Sequence, residues 1–268
     1  MTSEPKLGII IPSYNDPRIR QAIASVRDSD CDNLTRIYII DGGSGDLTLT
    51  VIREALRTTD VLVSEKDAGI FDALNKGLEC VREEYFGWIG SDDFFVANIN
   101  FSQIVSVFQK LDVDCVLLDT IFIDDFRLRR RSFARRPSYL NYCTGRLFPH
   151  FSSFWKKQTV GDLRFDLGYK IAADIDFFLR LIAARAPTSW VENRVGTIMR
   201  IGGVSTASLR QVYRSNLESF DIYRRQLGAP IAAFAVLAKL AIKLVWTLRT
   251  RPFPVVGEIL SPSDRQQQ

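Results

Sequence analysis

Apolar positions in the first part of the chain alternate between short unbroken runs and helically spaced stripes. Residues 7–11 form a run that Pro12 ends, which predicts a strand buried on both faces. Asp16 then offers a helix cap and Pro17 suits a first helical position. Ile19, Ala22, Ile23 and Val26 follow at helical spacing. Residues 37–40 predict a second strand, closed by Asp41 and the turn Gly42-Gly43-Ser44-Gly45, after which Asp46 can cap a helix running to Leu56. A third strand is predicted at 61–64. Ile70, Ala73, Leu74, Leu78 and Val81 mark a third helix, and a fourth strand at 86–89 runs into Gly90-Ser91-Asp92-Asp93.

Strand–helix repetition with short links predicts an α/β chain with a mostly parallel sheet covered on both faces. Such sheets bind ligands at the carboxyl ends of their strands. Those ends carry Ser13, Tyr14 and Asn15, then Asp41, then Glu65, Lys66 and Asp67, then Asp92 and Asp93. Their convergence outweighs any single motif. The second half is less regular. Residues 113–123 predict one long strand or a strand pair, followed by an arginine-rich segment and a loop holding Pro149-His150. Residues 174–185 predict a helix, 190–201 a strand or hairpin broken by Gly202-Gly203, 206–226 a helix, and 229–248 a last, strongly apolar helix.

Composition narrows the class. At 46% hydrophobic and 25% charged residues, the 268-residue chain is globular, with room for one large domain or a domain and an appendage. The net charge of +4 is unevenly placed: residues 127–136 (RLRRRSFARR) hold six arginines, and Lys239, Lys243, Arg249 and Arg251 follow near the end. Basic patches of this kind fit phosphate-bearing ligands or an anionic membrane. Cys31, Cys80, Cys115 and Cys143 contain no CxxC pair, so they form neither a zinc site nor a disulfide framework, and three are expected as buried thiols. The start shows no basic region followed by a long apolar run, which makes a cytoplasmic setting the default.

Adjacent Asp92 and Asp93 at a strand end suit Mg²⁺ or Mn²⁺ bound to a diphosphate, since these ions take one or two carboxylates plus phosphate oxygens. The same residues could form a solvated turn. The turn at 42–45 lacks both the Lys-Ser/Thr of a phosphate-binding loop and GxGxxG spacing, so it reads as a tight turn. Asn75 and Lys76 read as helix-surface residues.

The runs IIIPSYN, IIDGGSGDLT, SEKDAGIFDALNKGL and GWIGSDD resemble the inverting family 2 glycosyltransferases of the GT-A fold, closely over residues 7–95. A looser similarity continues through PHFSSFWKK, FDLGYKIAADIDFFLRL and IGGVST to about residue 206. The metal motif reads Ser-Asp-Asp in place of Asp-x-Asp. The resemblance implies a Rossmann-like sheet flanked by helices and transfer from a nucleotide-sugar donor, a UDP-sugar if Asp41 meets an imide N–H. Pro12, Tyr14 and Asn15 would line the base pocket, with Lys66 and Asp67 at the nucleotide. Asp92 would hold ribose or sugar, and Asp93 would ligate Mn²⁺ or Mg²⁺. Asp174 would be the base that takes the acceptor hydroxyl's proton, although its place at a helix start equally suits a cap. His150, the single histidine, is either structural or close to the diphosphate or acceptor, with residues 151–153 as further acceptor contacts.

These readings divide the chain into a catalytic domain at 1–205 and a helical extension at 206–268. Within the domain, 1–95 is the nucleotide half and 96–205 the acceptor half. The arginine run is either a solvated loop or a site for a pyrophosphate-lipid acceptor or anionic headgroups. No nucleic-acid motif accompanies it. Helix 229–248 nears transmembrane length, but Lys239 and Lys243 form a narrow polar stripe. That suits a helix lying in a membrane interface at the inner face of the plasma membrane, or one packed on the domain or in a homodimer. The expected acceptor is a saccharide or a lipid-linked one. Two competing readings remain. A sugar nucleotidyltransferase should carry a glycine-rich, Arg-containing loop after the first strand, where PSYNDPR stands here. A non-catalytic nucleotide-sugar-binding scaffold would not need Asp41, Asp93 and Asp174.

Overall fold

The computed structural model describes residues 4–30, 33–124, 127–146, 148–201, 209–249 and 253–254. Strands and helices alternate through β1 (Leu7–Ser13), α1 (Ile19–Asp28), β2 (Thr35–Asp41), α2 (Asp46–Ala55), β3 (Val61–Ser64), α3 (Ile70–Cys80) and β4 (Tyr85–Trp88). The acceptor half follows with β5 (Phe94–Phe95), α4 (Phe101–Leu111), β6 (Cys115–Asp124), β7 (Arg127–Ser132) and α5 (Tyr139–Cys143). A 3-10 turn at His150–Ser152 leads into β8 (Ser153–Lys156), α6 (Lys157–Val160), α7 (Ala173–Arg185) and β9 (Ser189–Arg200). Helices α8 (Leu209–Leu227) and α9 (Ala229–Arg249) and the short β10 (Phe253–Pro254) complete the described chain.

The sheet runs β3-β2-β1-β4-β8-β6-β7-β10, with β9 beside β6 and β5. The first four strands are parallel, whereas β8 enters antiparallel to both β4 and β6. Register aligns the strand ends: Ser13 lies opposite Asp41, and Asp41 opposite Ser64. Alternation sends Ile9, Ile11, Ile37 and Ile39 to one face, under α1 and α2. It sends Ile10, Tyr38 and Ile40 to the other, under α3 and α7. Gly77 lets α3 approach β1, since a Cβ there would lie 2.5 Å from Ile10 Cγ2.

Several expectations change. Asp16 does not cap α1. Its carboxylate accepts from the Arg18 N–H and grips the Arg18 guanidinium, and the helix begins two residues later than expected, at Ile19. Gly45, not Asp46, is the cap of α2, and Asp46 sits in its first turn. Residues 113–123 form one strand, β6. The first six residues of the arginine run, Arg127–Ser132, form the strand β7, where Arg131 pairs with buried Asp119 at 2.6 Å. Helix α4 has no counterpart in the reading above, although Asn100 caps it and Ile104, Val105 and Phe108 stripe it. Cys115 is buried, but Cys80 and Cys143 are only half-buried, and Cys31 lies outside the described residues. Residues 202–208, including Gly202-Gly203, also lie outside them. The helical extension is part of the core: Ile222 and Tyr223 of α8 and Ala232 and Ala235 of α9 are buried in the cluster that holds Trp88 and α7.

Candidate active site

The nucleotide half of the site is built by turns that tie themselves together. Asp41 is fully buried, and its carboxylate accepts from the N–H groups of Gly43 and Ser44 and from the Ser44 and Ser64 hydroxyls. A base would reach Asp41 only after the Ser44 hydroxyl turned away. Asn15 adopts a left-handed backbone, which asparagine tolerates, and accepts from Gly45 N at 2.9 Å. Its own N–H donates to Ser44 Oγ at 2.7 Å. The turn after β3 packs on the turn after β2. A Cβ on Gly42 would sit 2.7 Å from Asp67 Oδ2, and Gly43 faces Lys66. Pro12 is buried, whereas Tyr14 is 65% exposed beside Asn15 and stands clear of the core. Ser13 Oγ is buried at the end of β1 without a hydrogen-bond partner.

Past β4 the two carboxylates converge over Gly90, where a Cβ would lie 2.7 Å from Asp93 Oδ2 and 3.1 Å from Asp92 Oδ1. They differ in environment. Asp93 is 3% exposed, and Oδ1 accepts from Arg200 N at 3.0 Å. Burial and the adjacent Asp92 push its carboxyl well above the usual range. The Asp92 side chain is 29% exposed, with Arg18 Nη2 at 3.6 Å. Arg200 locks the pair from β9: its guanidinium donates to Asp92 O at 3.1 Å and lies over the Phe94 ring. The sequence reading gave neither arginine a role. Among the described residues no cluster of three or more His, Cys, Asp or Glu side chains could cage a metal. One open carboxylate backed by a buried one fits a divalent ion that completes its shell with phosphate oxygens and water.

The acceptor half reaches the same strand end. Trp88 Nε1, in β4, donates to His150 O at 2.6 Å, which fixes the 3-10 turn over the strand. His150 Nδ1 then lies 3.6 Å from Asp174 Oδ2. Burial lowers the His150 pKa, and the Asp174 carboxylate pulls it the other way. Asp174 lies in the first turn of α7, but Ala172 is the cap position, and no side chain caps the helix. Instead Glu218 of α8 accepts from Ile171 N at 2.8 Å and Ala172 N at 3.0 Å. Gln226 of α8 donates to Asp176 Oδ1 at 2.8 Å. This clamp from the extension escaped the sequence reading; nothing in the spacing of Glu218 and Ala172 announces it. Two other readings fail. Phe151, Ser152 and Ser153 are buried and bonded inward, and so do not line an acceptor surface. Asn75 is half-buried, and its amide exchanges two hydrogen bonds with the Phe165 backbone. Lys76 pairs with Glu65 at 2.7 Å.

A parallel sheet with polar turns along its carboxyl edge and a carboxylate pair after the fourth strand defines a nucleotide-binding α/β site of the GT-A kind. The chain belongs to glycosyl transferase family 2, whose model matches residues 8–163. It is a transferase. It is 24% identical over 227 residues to a PGL/p-HBAD biosynthesis glycosyltransferase of Mycobacterium tuberculosis, covering 80% of this chain and 84% of that one. An uncharacterized glycosyltransferase of the same organism, Rv1514c, is 27% identical over 195 residues, 70% of this chain and 73% of the other. Among solved structures, S. aureus TarS 1–349 in complex with UDP superposes with a TM-score of 0.65 at 14% identity, covering 98% of this chain and 77% of that one. The mannosyltransferase PcManGT of Pyrobaculum calidifontis, in complex with GDP-Man and Mn²⁺, gives 0.58 at 15% identity, covering 95% and 78%. Both share the fold.

Proposed function

We propose that the enzyme transfers a sugar, with inversion, from a UDP-sugar to a hydroxyl of a saccharide or lipid-linked acceptor. One observation carries this reading: Asp174 of α7 stands 3.6 Å from His150, whose carbonyl is held by Trp88 at the end of β4, the strand that leads into Asp92-Asp93. Asp174 takes the proton of the acceptor hydroxyl as its oxygen bonds to the anomeric carbon. The bond from that carbon to the diphosphate oxygen breaks, and the nucleoside diphosphate leaves with the electron pair. A Mn²⁺ or Mg²⁺ ion, when bound, would neutralise charge on the leaving diphosphate. The sequence reading gives this ion to Asp93 and the ribose or sugar to Asp92. Exposure favours the reverse emphasis, with Asp92 as the open ligand and Asp93 Oδ2 behind it. Arg18, beside Asp92, adds a cation at the same place.

Tyr14, Asn15, Lys66 and Asp67 surround the donor's nucleotide, Pro12 and Asp41 hold those turns from below, and the Ser13 hydroxyl is left to bond a ligand. The UDP and UDP-GlcNAc complexes of TarS support uridine. The test is a panel of nucleotide sugars assayed for binding and turnover with and without Mn²⁺. UDP-sugars should bind more tightly with the ion; failure of every donor under both conditions would overturn the reading.

A further inference from the structure

Helix α9 presents an outer face without a single charge in its described part. Ala229, Pro230, Ile231, Ala233, Phe234, Leu237, Leu240 and Ala241 are all exposed, Phe234 at 57% and Leu237 at 65%. Ala232 and Ala235 point the other way, into the core. Lys239, expected to interrupt this face, does not. Its Nζ turns inward to the Ser219 and Ser215 hydroxyls of α8, at 3.0 and 3.4 Å. The side chain of Lys243 lies outside the described residues. A helix with large exposed aliphatic and aromatic side chains at every turn is not a finished water-facing surface.

Charge identifies what covers it. Helix α5 packs on α9, and in the turn just past α5 a Cβ on Gly145 would sit 2.9 Å from Lys239 Cα. Next to that contact stand exposed Arg146 and, on α5, exposed Tyr139 and Leu140. Asn141 of α5 also donates to Arg136 O, which ties the segment with exposed Arg135 and Arg136 to α5. No Asp or Glu occurs anywhere in residues 127–161 or 222–257, and Glu218 and Asp221 of α8, which also packs on α9, are already paired with Arg214, Arg224 and Arg225. A two-fold dimer would set one basic rim against another. An anionic bilayer offers hydrocarbon for the apolar face and opposite charge for the rim. Among the described residues no helix is long and apolar enough to cross a membrane, so the geometry is that of a helix lying on the surface.

We propose that α9, flanked by α5 and by Arg135, Arg136 and Arg146, docks the protein on an anionic lipid surface. The inference does not depend on which sugar is moved or on Asp174 as base. Purified full-length chain is spun with phosphatidylcholine vesicles and with vesicles rich in phosphatidylglycerol. Binding should appear on the anionic vesicles, weaken with salt, and fall about tenfold or more in Arg135→Ala/Arg136→Ala. Phe234→Ser/Leu237→Ser should abolish it while thermal stability and UDP binding stay at wild-type levels, since both side chains are exposed. No binding to anionic vesicles, or equal binding by the Phe234→Ser/Leu237→Ser protein, overturns the proposal. A wild-type dimer in analytical ultracentrifugation that this same double variant dissociates would also overturn it, assigning the face to a second copy.

Discussion

Asp41 finds most of its partners two or three residues away in the Gly43-Ser44 turn and one more at Ser64, 23 away, whereas the acceptor side is closed by bonds between Trp88 and His150, 62 residues apart, and between Ala172 and Glu218, 46 apart. The nucleotide half is organised within one continuous stretch of chain: each parallel strand ends in a turn, register sets the turns side by side, and short bonds such as Asn15 to Ser44 and Ser64 to Asp41 tie them. The acceptor half is organised at long range. Its first two sheet strands after β4 run antiparallel or belong to other segments, and its key carboxylate depends on a helix near the chain's end. A local site should tolerate change elsewhere in the molecule; a long-range one should fail when a remote support is removed.

The largest effect expected from that contrast lies at Asp174. Asp174→Asn should lower kcat by about 10²–10⁴-fold, the usual worth of a general base, while UDP affinity measured by calorimetry stays unchanged. Retained turnover would sink the base assignment. On the nucleotide side, Asp92→Asn should cost at least about 100-fold in kcat/KM and remove the Mn²⁺ dependence of donor binding. Asp93→Asn should keep the fold, because an amide oxygen still accepts from Arg200 N and the site already disfavours charge. If Asp93→Asn alone abolishes metal dependence, the ligand order proposed above is reversed.

Glu218 tests the long-range half directly. Glu218→Ala leaves the N–H groups of Ile171 and Ala172 unpaired just before α7 and should reduce kcat about 10- to 100-fold through misplacement of Asp174, with the KM for donor unchanged. Glu218→Gln retains an acceptor oxygen and should recover part of the loss. An effect on stability alone, with kcat intact, would make Glu218 a structural residue only. Gly77→Ala probes the opposite half. The new methyl would collide with Ile10, and the cost should be about 1–3 kcal/mol of stability, read as a lower Tm, with little change in the activity of the folded fraction.

The same contrast explains what could be read in the sequence. Strands β1 to β4, α3, and the turns at Asp41 and Asp92-Asp93 declare themselves because runs, stripes and turn residues are local signals. Position at a helix start showed that Asp174 was polar and near an end, but not that His150 would stand beside it. The inward turn of Lys239 was equally hidden: one helical period cannot say which side of α9 meets α8. The strand β7 is hidden for a related reason. An arginine run looks like solvated loop until Asp119, buried in β6, is known to pair with Arg131.

The smallest expected effect is a pH dependence at the junction of the two halves. Burial holds His150 below its ordinary value of 6.5 in the folded protein, so the unfolded chain takes up the proton first as pH falls. Stability contributed by neutral His150 is therefore complete above about pH 6.5 and declines below it, down to the lowered folded value. His150→Gln should flatten that part of the Tm-against-pH curve. In Asp174→Asn the opposing pull of the carboxylate is gone, the folded value drops further, and the decline should extend to lower pH. Coincident curves for wild type and Asp174→Asn would show that the two side chains, 3.6 Å apart here, do not interact in solution. The long-range half of the site would then lack the His150–Asp174 contact that ties Asp174 to the end of β4.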